Sequence, residues 1–511
     1  MNFSWKDLQN GSDIRGTALS GVAGEVVNLT PEIVYRLGLS LAVWLSAHIA
    51  RSQNNVTVSV GIDSRLSGPD LKQHFCKGLL ESGINVFDFG LATTPSMFMS
   101  IVDEKTHCDA AVMITASHLP FNRNGFKFFT SKGGFEKDDI TELLSIAENG
   151  NFLSGHPQGS MRNLPYIKDY AAYLVSLIKN RVNHPDNFDT PLKGLKVIVD
   201  AGNGAGGFFA SLVLEVLGAD TSGSQYLEPD GHFPNHAPNP EDAQAMAAIQ
   251  EAVLKAKADL GIIFDTDVDR AAIVDKYGNG INRNRLIALL ASIILEEHPG
   301  STIVTDSVTS EGLGHFIENH SGFHHRYKRG YKNVINEALR LNAEGKPCWL
   351  AIETSGHAAM KENYFLDDGA YVIARIMIKV AQLYHNGTSI EKLIEDLAEP
   401  VASKEFRIKI NDDNFVAYGK NVINRLTSFI SIIKGWDLAK NNYEGIRVIC
   451  DQSSGNGWFL LRLSLHDPVL PLNIESDDRT GIPIIIEKLS QYLSHYDKLD
   501  ITSLKQYKIK P

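Results

Sequence analysis

Short runs rich in valine and isoleucine end, again and again along this chain, in loops carrying polar side chains. "VTVSVGIDSRLSG" (residues 56–68) is the first case, "DAAVMITASH" (109–118) the second and "LKVIVDAGNGAGG" (195–207) the third. "LGIIFDTDVDR" (260–270) and "STIVTDSVTS" (301–310) complete the series. A helical stretch is expected after each. Near-continuous apolar strands alternating with amphipathic helices predict α/β layers with mixed or parallel sheets. In such sheets ligands bind beyond the carboxyl ends of the strands, where these polar loops fall. A chain of 511 residues exceeds one core, so several domains are expected. "NRVNHPDNFDTPLKG" (180–194) reads as a linker, with further breaks near "EEHPGS" (296–301) and "LAEPVASKEFRIKI" (397–410). The expectation is three α/β domains with mixed sheets, over residues 1–185, 190–298 and 299–403, followed by a smaller C-terminal α+β domain over 404–511.

Charge and cysteine usage exclude several classes. Formal net charge is −11, from 49 Lys+Arg against 60 Asp+Glu, the wrong balance for neutralising a nucleic-acid backbone. Cys76, Cys108, Cys348 and Cys450 are scattered, which suggests neither a zinc site nor a disulfide frame and fits a reducing, cytoplasmic setting. The opening "MNFSWKDLQNGSDIRG" lacks the apolar core of a signal peptide. The longest apolar run, "LIALLASIIL" (286–295), is about half of what a membrane span needs. A soluble protein is expected, without a membrane or an obligate protein partner.

Three loops carry candidate chemistry. In "DTDVD", Asp265, Asp267 and Asp269 would point the same way if the segment were extended. Three like charges so placed repel unless a cation sits among them, and such an oxygen set suits Mg²⁺. An EF-hand fails, because its sixth position is Arg270 and its twelfth Lys276, which leaves a solvated acidic turn as the alternative to a metal loop. Arg270, behind the loop, suits phosphate oxygens. "GNGAGG" contains G-x-G-x-x-G at Gly202, Gly204 and Gly207, which raises a dinucleotide-binding alternative. No acidic residue closes a following strand as that fingerprint requires, so the glycines are read as close packing at a strand-to-helix turn. "IETSGHAAM" sets Glu353, Ser355 and His357 at alternating positions, a grip for vicinal sugar hydroxyls or, structurally, a capped helix start. Asp367 and Asp368 precede a helical pattern and are assigned to capping. In "MITASHLPFNRNGFKFF" (113–129), Ser117 follows a short strand, with His118 beside it and Lys127 beyond. The glycines of a hydrolase elbow are missing. A serine that is phosphorylated in turnover fits better, its phosphate lying against the ion and passing to a sugar hydroxyl.

Taken together, these pieces resemble the α-D-phosphohexomutase superfamily, the phosphoglucomutase/phosphomannomutase enzymes, over essentially the whole chain. "TASHLPFNRNGFK" resembles the phosphoserine loop, which implies Ser117 as phosphoryl carrier with His118 beside it and Lys127 as acid/base helper. "GSDIRG" resembles the N-terminal motif whose arginine, Arg15, reaches the reacting phosphate. "FDTDVDR" resembles the metal loop, implying Asp265, Asp267 and Asp269 with Ser117 around one Mg²⁺ and Arg270 on the substrate. "KRGYKNV" is similar to the specificity loop, pointing to Gly330 and Lys332, and "ETSGH" to the sugar-binding loop with Glu353, Ser355 and His357. The resemblance implies four domains around a central cleft. It also implies interconversion of hexose 1-phosphate and hexose 6-phosphate through a hexose 1,6-bisphosphate, which serves as activator. Lys127, its pKa lowered by neighbours such as Arg15, is the expected base.

One segment departs from the family. Where R-P-S-G-T-E-P is usual, "RLSLHDP" places Arg462 and Ser464 as phosphate donors but Leu465 and His466 in the glycine and threonine positions. A similar change in one branch of the superfamily raises the alternative of a glucose-1,6-bisphosphate synthase, loaded from fructose 1,6-bisphosphate and acting on glucose 1- or 6-phosphate.

Overall fold

Every one of the five valine- and isoleucine-rich runs becomes a strand in the computed structural model, which describes residues 3–49, 55–153, 157–464 and 467–507. The first sheet contains β1 (Asp13–Thr17), β2 (Thr57–Ile62), β3 (Asn85–Leu91), β4 (Ala110–Ile114) and β5 (Arg123–Thr130), in the order β1-β5-β4-β2-β3. The strand β2 runs parallel to β3 and β4, whereas β5 is antiparallel to β4 and β1. All five residues of β4 are buried, which explains why it reads as an unbroken apolar run. The helices Pro31–His48 and Gly68–Glu81 cross at a glycine pair: a Cβ on Gly38 would lie 2.2 Å from the Phe75 carbonyl, and one on Gly78 would lie 2.4 Å from that of Tyr35. Thr30 caps the first of these helices by accepting from the Ile33 amide, with Pro31 in its first turn.

The second sheet holds β6 (Val197–Asp200), β7 (Leu260–Phe264) and β8 (Ala271–Asp275), with β6 parallel and β8 antiparallel to the central β7. Helices were expected after "MIT" and after "IIF", but strands follow both: β5 returns beside β4 and β8 beside β7. The serine loop and the acidic loop are therefore each the turn between two antiparallel strands, pinned at both ends by the ladder.

The chain divides into two compact units, Met1–Leu286 with Ser355–Lys392, and Ile287–Thr354 with Leu393–Pro511. Both sheets above belong to the first. The second contains β9 (Thr302–Thr305) flanked in parallel by β10 (Phe323–Arg326) and β11 (Cys348–Ile352). It also contains an antiparallel sheet of β12 (Ala402–Ile410), β13 (Ile446–Cys450), β14 (Gly457–Leu461) and β15 (Val469–Ser476). Along β12, Phe406, Ile408 and Ile410 are buried while Arg407 and Lys409 face water. That alternation puts one face against the helices Phe415–Ile430 and Gly481–Leu493, whose Leu426 and Ile485 enter the same core. Three α/β domains and a C-terminal domain built on its own sheet are thus present. All four cysteines are free and buried. Among the described residues no helix is long and apolar enough to cross a membrane.

Candidate active site

Ser117 lies in the turn between β4 and β5 and is buried, not exposed as a loop position suggests. Its φ of 51° is left-handed, an uncommon conformation for a residue with a Cβ. Several bonds hold it there. The Ser117 amide donates to Thr115 Oγ1 at 2.8 Å, and Thr115 Oγ1 donates to Asp63 Oδ2 at 2.6 Å. Arg65, on the loop after β2, donates to the carbonyls of Ser117, Leu119, Pro120 and Arg123, the last two at 2.8 and 3.0 Å. Its guanidinium also pairs with Asp63 at 3.3 Å, both side chains being inaccessible to solvent. On β1, Arg15 donates to the Thr115 carbonyl and pairs with Asp13 at 2.9 Å. Arg15 lies opposite Gly125 in the ladder, and a Cβ at Gly125 would sit 2.1 Å from the Ile14 carbonyl, so only glycine admits β1 this closely.

Residues 265–270 form the hairpin turn between β7 and β8. The three carboxylates converge, but not through the alternation of an extended strand: Val268 turns left-handed at φ 65°, and the turn gathers the acids. One ligand oxygen from each of Asp265, Asp267 and Asp269 lies within 4.8 Å of the others, and all three side chains are buried. The glycines of "GNGAGG" seat this turn: the Ala205 amide donates to the Thr266 carbonyl, and a Cβ on Gly204 would meet the Thr266 backbone at 2.7 Å. They are packing glycines, as expected.

The two turns meet. Ser117 Oγ donates to Asp265 Oδ2 at 2.8 Å. Lys127, on β5 opposite Met113, reaches Asp267 Oδ2 at 2.9 Å and also Asp269. Arg270 donates through Nε to Asp265 at 3.1 Å and through a terminal nitrogen to His118 Nδ1 at 2.6 Å, 3.4 Å from Ser117 Oγ. His357 bonds through Nδ1 to Asp367 and lies 3.9 Å from Asp269. Thr94 Oγ1 donates to Asp267. Burial pushes Asp265 well above the ordinary carboxylate range, with Asp269 and Asp267 adding to it. Burial and the neighbouring Arg270 hold His118 neutral, its pKa pushed down to about 3. For His357 burial acts downward, but Asp367 and Asp269 outweigh it and raise the imidazole to about 9.

Lys127 departs from expectation. Burial alone would lower it, yet Asp267, Asp269 and Asp13 raise it well above its ordinary value, so it stands as an ammonium and not as a ready base. Asp367 also departs. Read as a cap, it instead orients His357, while the capping falls to Asp368 alone, which accepts from the Tyr371 amide at 2.8 Å. Asp267 Oδ1 and Asp269 Oδ1 are buried without a hydrogen-bond partner, which fits a divalent cation accepted by hard oxygens.

The remaining predicted residues divide between the units. Ser355 is buried in the first, as is the guanidinium of Arg270. In the second, the Gly330 amide donates to Glu353 Oε1 at 2.6 Å, with Gly330 at φ 113°, and Lys332 stands in the first turn of the helix Tyr331–Ala343. Arg462 lies 3.6 Å from Glu444, and Ser464 Oγ accepts from the Asp467 amide at 3.2 Å. Leu465 and His466 lie outside the described residues.

Sequence reasoning missed Asp63, Arg65, Thr94 and Asn239, which accepts from Arg270 at 3.3 Å. "DSR" directly after a buried strand was the available signal for the first two.

An α/β enzyme with a buried serine set against an acidic turn is the class this fold and site define. Comparison with known proteins makes it specific. The chain matches the phosphoglucomutase/phosphomannomutase alpha/beta/alpha domains I, II and III over residues 7–153, 169–278 and 282–401. It is 33% identical over 459 residues to a phosphomannomutase/phosphoglucomutase of Pseudomonas syringae pv. tomato, covering 87% of this chain and 89% of that one. It is 29% identical over 479 residues to a phosphoglucomutase of Neisseria gonorrhoeae, covering 93% and 94%. A crystal structure of a phosphoglucomutase/phosphomannomutase family protein from Burkholderia thailandensis superposes with a TM-score of 0.79 at 25% identity, covering 97% of this chain and 98% of that one. The chain belongs to the phosphoglucomutase/phosphomannomutase family.

Proposed function

We propose that this protein interconverts hexose 1-phosphates and hexose 6-phosphates by carrying a phosphoryl group on Ser117. The observation that carries this reading is the 2.8 Å approach of Ser117 Oγ to an acidic turn ringed by Arg270, Lys127 and His357. A nucleophile with carboxylates on one side and cations on the other is suited to phosphoryl transfer, where catalysis is positioning and charge stabilisation.

Asp265, Asp267 and Asp269, with the Ser117 oxygen, would hold one Mg²⁺, which when bound draws charge from the transferring phosphoryl. In the forward step the bond from Ser117 Oγ to phosphorus breaks as the free hydroxyl of a hexose monophosphate bonds to phosphorus. The proton of that hydroxyl passes to Ser117 Oγ, which the broken bond leaves as an alkoxide and which then again donates to Asp265, and a hexose 1,6-bisphosphate results. The sugar then turns over, its other phosphate returns to Ser117, and the isomeric monophosphate leaves. Arg15, Lys127 and Arg270 keep their positive charge through the cycle and offset the charge on the transferring oxygens. His118, neutral against Arg270, fixes that guanidinium beside the serine. Arg65 and Thr115 keep the serine turn in its left-handed form. Glu353, Ser355 and His357 would take the sugar hydroxyls, Gly330 and Lys332 would discriminate the sugar, and Arg462 with Ser464 would take the phosphate that is not reacting. A cytoplasmic setting accords with four free cysteines.

A second reading, glucose-1,6-bisphosphate synthase, draws support from the C-terminal segment. Arg462 already faces a carboxylate, Glu444, at 3.6 Å, which weakens its hold on a second phosphate and favours early release of the bisphosphate. The deciding assay supplies glucose 1-phosphate with Mg²⁺ and a trace of glucose 1,6-bisphosphate. Conversion to glucose 6-phosphate supports the mutase. Accumulation of bisphosphate from fructose 1,6-bisphosphate and glucose 6-phosphate supports the synthase, and neither product would refute both.

A further inference from the structure

Glu444 makes contacts that are unusual for a loop glutamate. It follows Lys440, Asn441, Asn442 and Tyr443, all exposed, yet its own carboxylate is largely covered. One oxygen accepts from Ser307 Oγ at 2.6 Å and from the Arg329 amide at 3.1 Å; the other lies 3.6 Å from an Arg462 guanidinium nitrogen. These donors come from three separate segments: the loop after β9, the turn before the helix Tyr331–Ala343, and the end of β14. A hydroxyl, a main-chain N–H and a guanidinium converging on one point make a site for an oxyanion.

Glu444 is not needed to fasten the loop after β9 to this domain. That task falls to Arg447, buried on β13, which donates to the Ser307 and Thr309 carbonyls, each at 2.9 Å, and to Glu311 at 2.6 Å while lying 3.6 Å over the Trp458 ring. With the loop after β9 already anchored, the Glu444 carboxylate is free to act as an exchangeable anion.

We propose that Glu444 is an internal competitor for the non-reacting phosphate of the substrate: its carboxylate fills the Ser307, Arg329 and Arg462 donor set, and a phosphomonoester dianion must displace it to bind. This rests on the hexose-phosphate function proposed above and adds to it a residue that sets substrate affinity. In Glu444→Gln the donors lose a competing charge, so inorganic phosphate, titrated calorimetrically at fixed low ionic strength, is expected to bind roughly tenfold more tightly than to the unaltered protein. The KM for hexose phosphate should fall by a similar factor without a rise in kcat. The gain should vanish in Glu444→Gln combined with Arg462→Met, which separates this site from the cations around Ser117. Glu444→Ala is measured alongside, so that a folding failure of one variant leaves the other to decide.

Equal or weaker phosphate binding by the folded variants overturns the inference, as does a raised KM, which would make Glu444 a direct ligand of substrate. Tighter phosphate binding without turnover of any hexose phosphate sustains the anion site and refutes the assigned reaction. Turnover with unchanged phosphate affinity does the reverse.

Discussion

Arg65 offers the sharpest test of how the serine turn is held. It is fully buried and donates to four carbonyls of residues 117–123, that of Ser117 included, while pairing with Asp63. Arg65→Met keeps most of the volume and removes every donor. The larger cost is the Asp63 carboxylate left buried and unpaired, and breaking one partner of such a pair costs about 3–5 kcal/mol. At roughly 2–4 °C per kcal/mol for a domain of this size, the first thermal transition should fall by about 10 °C. Asp63→Asn with Arg65→Met removes the stranded charge as well, so the double variant should recover much of that loss while Ser117 remains unclamped. Differential scanning calorimetry reads the stability, and turnover of glucose 1-phosphate reads the serine. Stability should partly return and activity should not. Additivity of the two substitutions within about 0.5 kcal/mol would refute the claim that Asp63 and Arg65 act as a buried pair. Full activity in Arg65→Met would refute the claim that its carbonyl contacts set the nucleophile.

Ser117→Ala should lower turnover at least ~10³-fold and abolish protein-bound phosphate in intact mass spectra, with the fold retained because alanine tolerates the same turn. Chelation by EDTA should silence the enzyme and lower its melting temperature, since three buried acids lose their counter-ion; Asp267→Asn should make the melting temperature indifferent to chelator. Gly125→Ala forces a Cβ against the Ile14 carbonyl at 2.1 Å and should cost about 1–3 kcal/mol while displacing Arg15, visible as a lower melting temperature with reduced turnover. Burial raises Glu475 from 4.5 to about 7 despite its bond from Trp458 Nε1. Between those values the folded state keeps a proton that the unfolded state releases, so stability falls as pH rises through this window. Above it the full penalty, up to about 3 kcal/mol, is present. Glu475→Gln should therefore melt higher than the unaltered protein at pH ~8 and not at pH ~4.5.

What could be read from the sequence follows from how local each feature is. A buried strand shows as an unbroken apolar run because both its faces are covered, so β4, β6 and β7 were legible, and with them the loops at their carboxyl ends. The direction of the next element was not. After Ile114 and after Phe264 the chain reverses into an antiparallel strand, and no local signal separates that from a helix when the intervening residues are turn formers in either case. The same limit explains the acids. Asp265, Asp267 and Asp269 were identifiable by type and spacing, but their convergence comes from Val268 adopting a left-handed turn, which a β-branched residue does not advertise. Residues acting across long separations were the least visible. Asp63 and Arg65 reach a turn more than fifty residues away, and Asp367 looked like a helix cap until His357 was brought to it. Lys127 carries the most instructive error. Cationic neighbours suggested a lowered pKa, but strand pairing sets it against Asp267 and Asp269, and at ~3 Å two carboxylates outweigh the Arg15 guanidinium. The charge state of a buried group depends on which partners the ladder register places beside it, and that register is a property of the fold that no local stretch of sequence contains.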